Sequence, residues 1–298
     1  MTELLVALTA THPLDRLTEA ETAVGVEVIK ADARFGPRMR FAGVNLSLPP
    51  KAEVLAFVPG TPVERSIDAI LLDNADGSTH EVTVSVTHRQ VLGWDRVEGV
   101  QPPVILDEFF EAEAEIRRNP DFRAAMAKRG VTDMSLVTID PWSAGNYGDE
   151  FEQTRRIIRG LVWLNEKPGD NQYARPIDGL MVIFDLAACE VLRIDDERVL
   201  PVPSEGNEWS SNFGGDTRAD VKPLEITQPD GPSFVVDGDH LSWQKWDLRV
   251  GWTSREGLTI NTVTYTDGDD VRPVLYRASL AEMTVPYGDP SSTQARKN

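Results

Sequence analysis

The sequence holds a single cysteine, Cys189, among 298 residues. One thiol excludes an intrachain disulfide and any thiolate metal cluster assembled within one chain. Preceded by Phe184-Asp-Leu-Ala-Ala, it reads as a small buried side chain rather than a nucleophile. Long apolar runs are also missing. Nothing approaches the roughly 18 residues of a membrane-spanning helix, and Met1-Thr-Glu-Leu-Leu-Val-Ala-Leu-Thr-Ala10 lacks the basic start of a secretory signal. A cytoplasmic protein is the expectation. Basic residues are outnumbered, 30 Lys and Arg against 48 Asp and Glu, for a formal charge of −18. Such a chain repels nucleic-acid phosphates and anionic lipid, so neither nucleic acid nor membrane is an expected partner. The four histidines, His12, His80, His88 and His240, include no i, i+2 or i, i+4 pair that would turn two imidazoles toward one metal. Nucleophile elbow, phosphate loop, dinucleotide fingerprint and zinc-protease helix are absent.

What is present can build cores: 41% of the residues are apolar, and the length accommodates about two domains at roughly 150 residues each. Thr18-Glu-Ala-Glu21 is a capping box and predicts a helix over 18–30. Short runs rich in β-branched residues follow at 39–48, 52–58, 66–72 and 80–91, separated by Pro and Gly. The pattern recurs after Pro102-Pro103. Phe109, Ala112 and Ile116 share one helical face, Asn119-Pro120 ends one helix and opens the next, and Gly130 supplies a stop. Strands are predicted at 135–139, 157–164, 179–184 and 190–194. A Pro-, Gly- and Asp-rich stretch over 201–232 reads as an extended, packed crossing segment. Alternating patterns at 234–237, 241–252, 258–265 and 271–278 open an all-β region with an unfinished edge. The fold class is therefore α+β. Two small helix-on-antiparallel-sheet domains (1–97 and 98–200) precede an extended linker (201–232) and the first strands of an incomplete β-sandwich (233–298). Carboxylate pairs such as Asp107 with Glu108 read as solvated surface. Trp243 and Trp246, three apart, point to opposite faces of one strand and, with Trp252, read as core.

The C-terminal stretch is the most specific. Trp243-Gln-Lys-Trp246, Arg255-Glu-Gly-Leu258 and Asp270-Val-Arg-Pro-Val-Leu-Tyr276, leading to Pro286-Tyr-Gly-Asp-Pro290, resemble the opening of the catalytic β-sandwich of copper-containing amine oxidases. His12-Pro-Leu14 with Leu17-Thr18 resembles the start of that family's second domain. Arg156-Ile-Ile-Arg-Gly-Leu161 and Arg175-Pro-Ile-Asp-Gly-Leu180 resemble its third. The resemblance implies oxidative deamination of primary amines to aldehyde, ammonia and hydrogen peroxide, with copper, topaquinone and dioxygen. It also implies that the aspartate base, the quinone tyrosine and three copper histidines lie beyond Pro290, whereas this sequence ends eight residues later. The 298 residues are thus expected to contain no catalytic, cofactor-binding or metal-binding residue, to bind neither cofactor and to be inactive alone. A noncatalytic ligand-binding or interaction module is the alternative reading. The family's homodimer forms through the catalytic domain, so the sequence gives no reason to expect it here. Asn146-Tyr147-Gly148-Asp149 has Gly where the quinone motif needs an acid and reads as a decoy. By local alignment Phe110, Trp142 and Tyr173 fall at substrate-channel positions, where aromatic walls suit an amine with an apolar tail.

Overall fold

A computed structural model describes residues 10–143, 145, 147–168, 171–206, 218–280, 282, 283, 285 and 288. The first domain begins with helix α1 (Glu19–Ala31), started by the predicted capping box: Thr18 Oγ1 accepts from Glu21 N–H at 3.1 Å, and Glu21 accepts from Thr18 N–H at 2.8 Å. Strand β1 (Met39–Leu46), helix α2 (Lys51–Ala56) and strands β2 (Ser66–Asp73), β3 (Ser78–Ser85) and β4 (Gln90–Val97) follow, the strands forming an antiparallel meander. Val24 and Ile29 of α1 pack against Ile67, Leu71, Val82 and Val84 on one sheet face. Gly25 permits this approach, because a Cβ there would collide with the Ile67 Cδ1 methyl.

The second domain repeats the construction. Helices α3 (Leu106–Arg118) and α4 (Pro120–Ala127) precede the meander β5 (Val137–Ser143), β6 (Ile157–Leu164), β7 (Pro176–Asp185) and β8 (Glu190–Asp196). Ala112, Ile116, Phe122 and Met126 close over Ile139, Ile158, Val182 and Phe184. The correspondence extends to single bonds. In each domain the third residue of the first helix, Glu21 or Glu108, is buried against an arginine one residue before the second strand, Arg65 or Arg156. That arginine's carbonyl accepts at 2.8 Å from the residue just after the third strand, Val86 or Leu186. The following turn places Arg89 or Cys189 at φ 52° or 56°.

A third sheet carries β9 (Phe234–Asp237), β10 (His240–Trp243), β11 (Trp246–Thr253), β12 (Gly257–Asp267) and β13 (Asp270–Ser279), in the order β13-β12-β11-β10-β9. Residues 225–283 and 1–103 group as one compact unit, and residues 104–224 belong to the other. The three antiparallel sheets and few helices bear out the α+β class.

Several sequence expectations change. Residues 52–58 are mostly helix: after Pro49-Pro50 comes Lys-Ala-Glu-Val-Leu-Ala, good helix formers apart from the one β-branched residue, Val54, which is buried. The run 80–91 splits between β3 and β4, and 241–252 splits between β10 and β11, because turns centred near Arg89 and at Gln244-Lys245 reverse the chain. The second reversal makes Trp243 and Trp246 cross-strand partners on the same face, and Trp243, Trp246 and Trp252 are exposed rather than core. Cys189 is exposed because it sits in the β7–β8 turn. Glu108 is buried, not solvated, since Arg156 neutralises it. Among the described residues of 201–232, packing is found at the start, where Val202 joins the second core and Pro203 accepts from Arg175. Residues 218–232 are exposed, with Leu224 and Ile226 finding no apolar surface.

Candidate functional site

Register and burial place the three aromatic candidates. Val137 and Ile139 of β5 point into the helix-covered core, so alternation turns Thr138, Asp140 and Trp142 to the opposite face. The Trp142 indole, 39% exposed, donates to Asp140 Oδ2 at 3.0 Å. Tyr173, 49% exposed, stands edge-on to Trp163 with ring centroids 5.0 Å apart. Trp163 pairs with Thr138 and Arg159 pairs with Trp142, so Tyr173 belongs to the same face as Trp142 but to the other end of β5.

Phe110 is on α3 and 60% exposed. Its helix face continues through Glu113 and Arg117, which bind the open edge of β5: Glu113 Oε1 accepts from Ile139 N–H at 3.1 Å, and Arg117 Nε donates to Val137 O at 2.7 Å. A helix rises about 1.5 Å per residue and a strand about 3.3 Å. Phe110 therefore comes level with Asp140 and Pro141, at the Trp142 end of the edge. The structure thus brings Phe110 and Trp142 to one stretch of edge and sets Tyr173 apart. Asp140, the indole's acceptor, and Trp163, Tyr173's ring partner, were not among the sequence candidates, although alternation along β5 and β6 points to both.

Arg159, the cross-strand partner of Trp142, belongs to a largely buried charged network. Arg159 pairs with Glu152 and lies 5.8 Å from the Tyr147 ring centroid. Tyr147 N–H donates to Glu152 at 2.7 Å. Of the quinone-like decoy, Tyr147-Gly148-Asp149 is held in this network, and Asn146 lies outside the described residues. Burial pushes the Asp149 carboxyl up, but hydrogen bonds from Arg193 and Phe151 N–H outweigh it and hold the group below its usual range.

The other unit contains a groove of about 1130 Å³ between residues 10–60 and the β10–β12 strands. Asp15 pairs with Arg249, and Arg16 with Asp239 at 2.7 Å. His12 Nδ1 accepts from Leu14 N–H at 3.1 Å. Burial and then the Arg249 charge lower the His12 pKa to about 4, against the opposing pull of Asp15. The remaining histidines have partners as well. His80 bridges Ser78 and Trp94, His88 meets Glu64 at 3.0 Å, and His240 meets Asp247 at 2.7 Å. Among the described residues no three His, Cys, Asp or Glu side chains are grouped to hold a metal ion, so the residues present do not fit a copper site.

Comparison with known proteins follows the same order along the chain. The AGAO-like N2 domain matches residues 18–93, the copper amine oxidase N3 domain residues 107–212, and the copper amine oxidase enzyme domain residues 235–298. The primary amine oxidase of Arthrobacter sp. (strain P1) is 42% identical over 96% of this chain and 44% of its own length. The primary amine oxidase of Klebsiella aerogenes is 36% identical over 94% and 37%. The crystal structure of a copper-containing benzylamine oxidase from Hansenula polymorpha superposes with a TM-score of 0.78 at 29% identity, over 96% of this chain and 47% of that one. The chain belongs to the copper amine oxidase family, and it spans less than half the length of these relatives. Among the described residues no helix is long and apolar enough to cross a membrane.

Proposed function

We propose that these residues form the N2-like domain (1–97), the N3-like domain (98–200), the linker (201–232) and the opening enzyme-domain strands (233–298) of a cytoplasmic primary amine oxidase. Its reaction would be oxidative deamination to aldehyde, ammonia and hydrogen peroxide. The observation that carries this reading is the collinear match of three family domains across a chain 42% identical to a primary amine oxidase over 96% of its residues. In the family reading copper and topaquinone supply the electron acceptor that amino-acid side chains cannot. The four histidines contact Leu14, Ser78 and Trp94, Glu64 and Asp247, so the described residues are not read as holding either group. The 298 residues are read as scaffold and substrate-side surface without turnover of their own. Phe110, Trp142 and Tyr173 would supply apolar wall to an arriving amine, and Asp140 beside Trp142 would attract its ammonium.

The test is to incubate the purified chain with copper and dioxygen and then add phenylhydrazine. No stoichiometric coloured adduct, and no peroxide on adding benzylamine, is the expected result. A one-to-one adduct with peroxide release would overturn the scaffold reading.

A further inference from the structure

Residues 11–16 form a turn that grips two neighbours at once. Asp15 Oδ2 accepts from Thr11 N–H at 2.7 Å and from His12 N–H at 2.9 Å, and Asp15 N–H donates back to His12 O at 3.0 Å. On one side the Pro13, Asp15 and Arg16 carbonyls accept from Arg65, just before β2. On the other, Asp15 pairs with Arg249 of β11. Arg16 meets Asp239, in the β9–β10 turn, through its guanidinium at 2.7 Å and its N–H at 3.2 Å.

The His12 ring closes this turn. Its Nδ1 accepts from Leu14 N–H at 3.1 Å, the same i to i+2 bond by which an Asn or Asp side chain builds a turn. A backbone N–H donates only to a bare ring nitrogen, so the neutral ring carries its hydrogen on Nε2 and the next proton must land on Nδ1. The Leu14 bond and a protonated ring therefore exclude each other. The surroundings act in the same direction. Burial opposes a proton most, with Phe57 edge-on to the ring at 5.2 Å between centroids. Arg249 of β11 and His240 of β10 also oppose it, while Asp15 of the turn itself favours it.

We propose that His12 is the proton-sensitive pin of this turn: a proton on Nδ1 breaks the Leu14 bond, opens residues 12–15 and frees Asp15 and Arg16 from Arg249 and Asp239. The first domain then loses these two ion pairs to the β9–β11 strands while its own sheet stays folded. The pH window follows from the ring. It titrates near 4 in the closed turn against an ordinary 6.5, so closure is complete above about pH 6.5 and weakens as pH falls toward 4. Allowing for the ring's partial exposure, the closed-to-open ratio should drop about tenfold or more between pH 7 and pH 5. Burial pushes the Asp15 carboxyl up, but the Thr11 and His12 N–H bonds and the Arg249 charge outweigh it. Asp15 thus stays ionised across this window and adds to the loss only below it.

Hydrogen-exchange protection of the Leu14, Asp15 and Arg16 amides, read by NMR on the whole chain and corrected for intrinsic rates, tests this. Between pH 7 and pH 5 the wild type should lose about tenfold or more there, with β2 and β3 amides unchanged. His12→Asn keeps an i to i+2 acceptor that does not titrate, and should hold its protection across the range. His12→Ala has no such acceptor and should lack the protection already at pH 7. The ring titration of His12 in the unaltered chain should centre near 4, and it decides the matter even if a variant folds poorly. A wild-type ring titrating near 6.5 would overturn the proposal, as would turn amides indifferent to pH or an equal loss in β2 and β3. So would His12→Asn losing protection as the wild type does, or His12→Ala keeping it at pH 7.

Discussion

Replacing Arg65 with methionine should destabilise the first domain far more than an ordinary core substitution. The Arg65 side chain is fully buried. Its guanidinium binds Glu21 Oε1 at 2.6 Å and the carbonyls of Pro13, Asp15 and Arg16 at 3.1, 2.8 and 3.2 Å. One cation therefore ties the entry segment, the start of α1 and the start of β2 together. Methionine fills similar volume but leaves the Glu21 carboxylate buried without its counterion, a loss of about 3–5 kcal/mol. Native-state hydrogen exchange on β2 and β3 amides measures it. The double-mutant cycle with Glu21→Gln should show a coupling of about 2 kcal/mol or more. The pH dependence follows from the carboxyl. Burial pushes Glu21 up, while Arg65 and the Thr18 N–H outweigh it and hold it below its usual range. The wild-type contribution is thus present at neutral pH and lost as pH falls through the lowered pKa. In the variant only the Thr18 hydrogen bonds oppose burial, so the carboxyl pKa moves up from its wild-type position, and acid relieves the penalty of burying the charge. The gap between wild type and variant should close on acidification below about pH 4. A cost under about 1 kcal/mol, additive effects in the cycle or a gap independent of pH would refute the reasoning.

His12, held near pKa 4 against an ordinary 6.5, stays neutral in the folded protein while the unfolded chain takes up a proton. Stability should therefore fall as pH drops from about 6.5 to about 4. After discounting for partial exposure the loss is about 1–2 kcal/mol, and His12→Asn should flatten that part of a urea-midpoint profile. Gly160→Ala puts a Cβ 2.8 Å from Ile139 Cγ2 beneath α3 and should cost about 1–3 kcal/mol by the same exchange measurement on β5–β7. Cys189 should react with a thiol reagent in the native protein at the rate of an exposed cysteine; protection until denaturant is added would contradict its turn position.

Local signals carried much of the fold. Thr18-Glu-Ala-Glu21, Asn119-Pro120 and the Gly130 stop fixed helix ends through hydrogen bonds made within a few residues. The family motifs fixed the order of the domains. What escaped depended on partners remote in sequence. A reversal of only two residues looks like continuous strand when both arms are apolar, so the β10–β11 hairpin was missed, and with it the shared face of Trp243 and Trp246. Glu108 looked like any of 48 acidic residues until β6 brought Arg156 against it, 48 positions away. Phe110 and Trp142 could be chosen by resemblance, but only the packing of α3 along the β5 edge sets them at one level. Sequence alone determined the capped helices, most of the strands and their ancestry, because periodicity, capping and motif spacing are properties of neighbouring residues. Tertiary structure alone decided which charges are buried, which aromatics are exposed and which of them stand together, because those depend on register and on surfaces that meet only once the chain has folded.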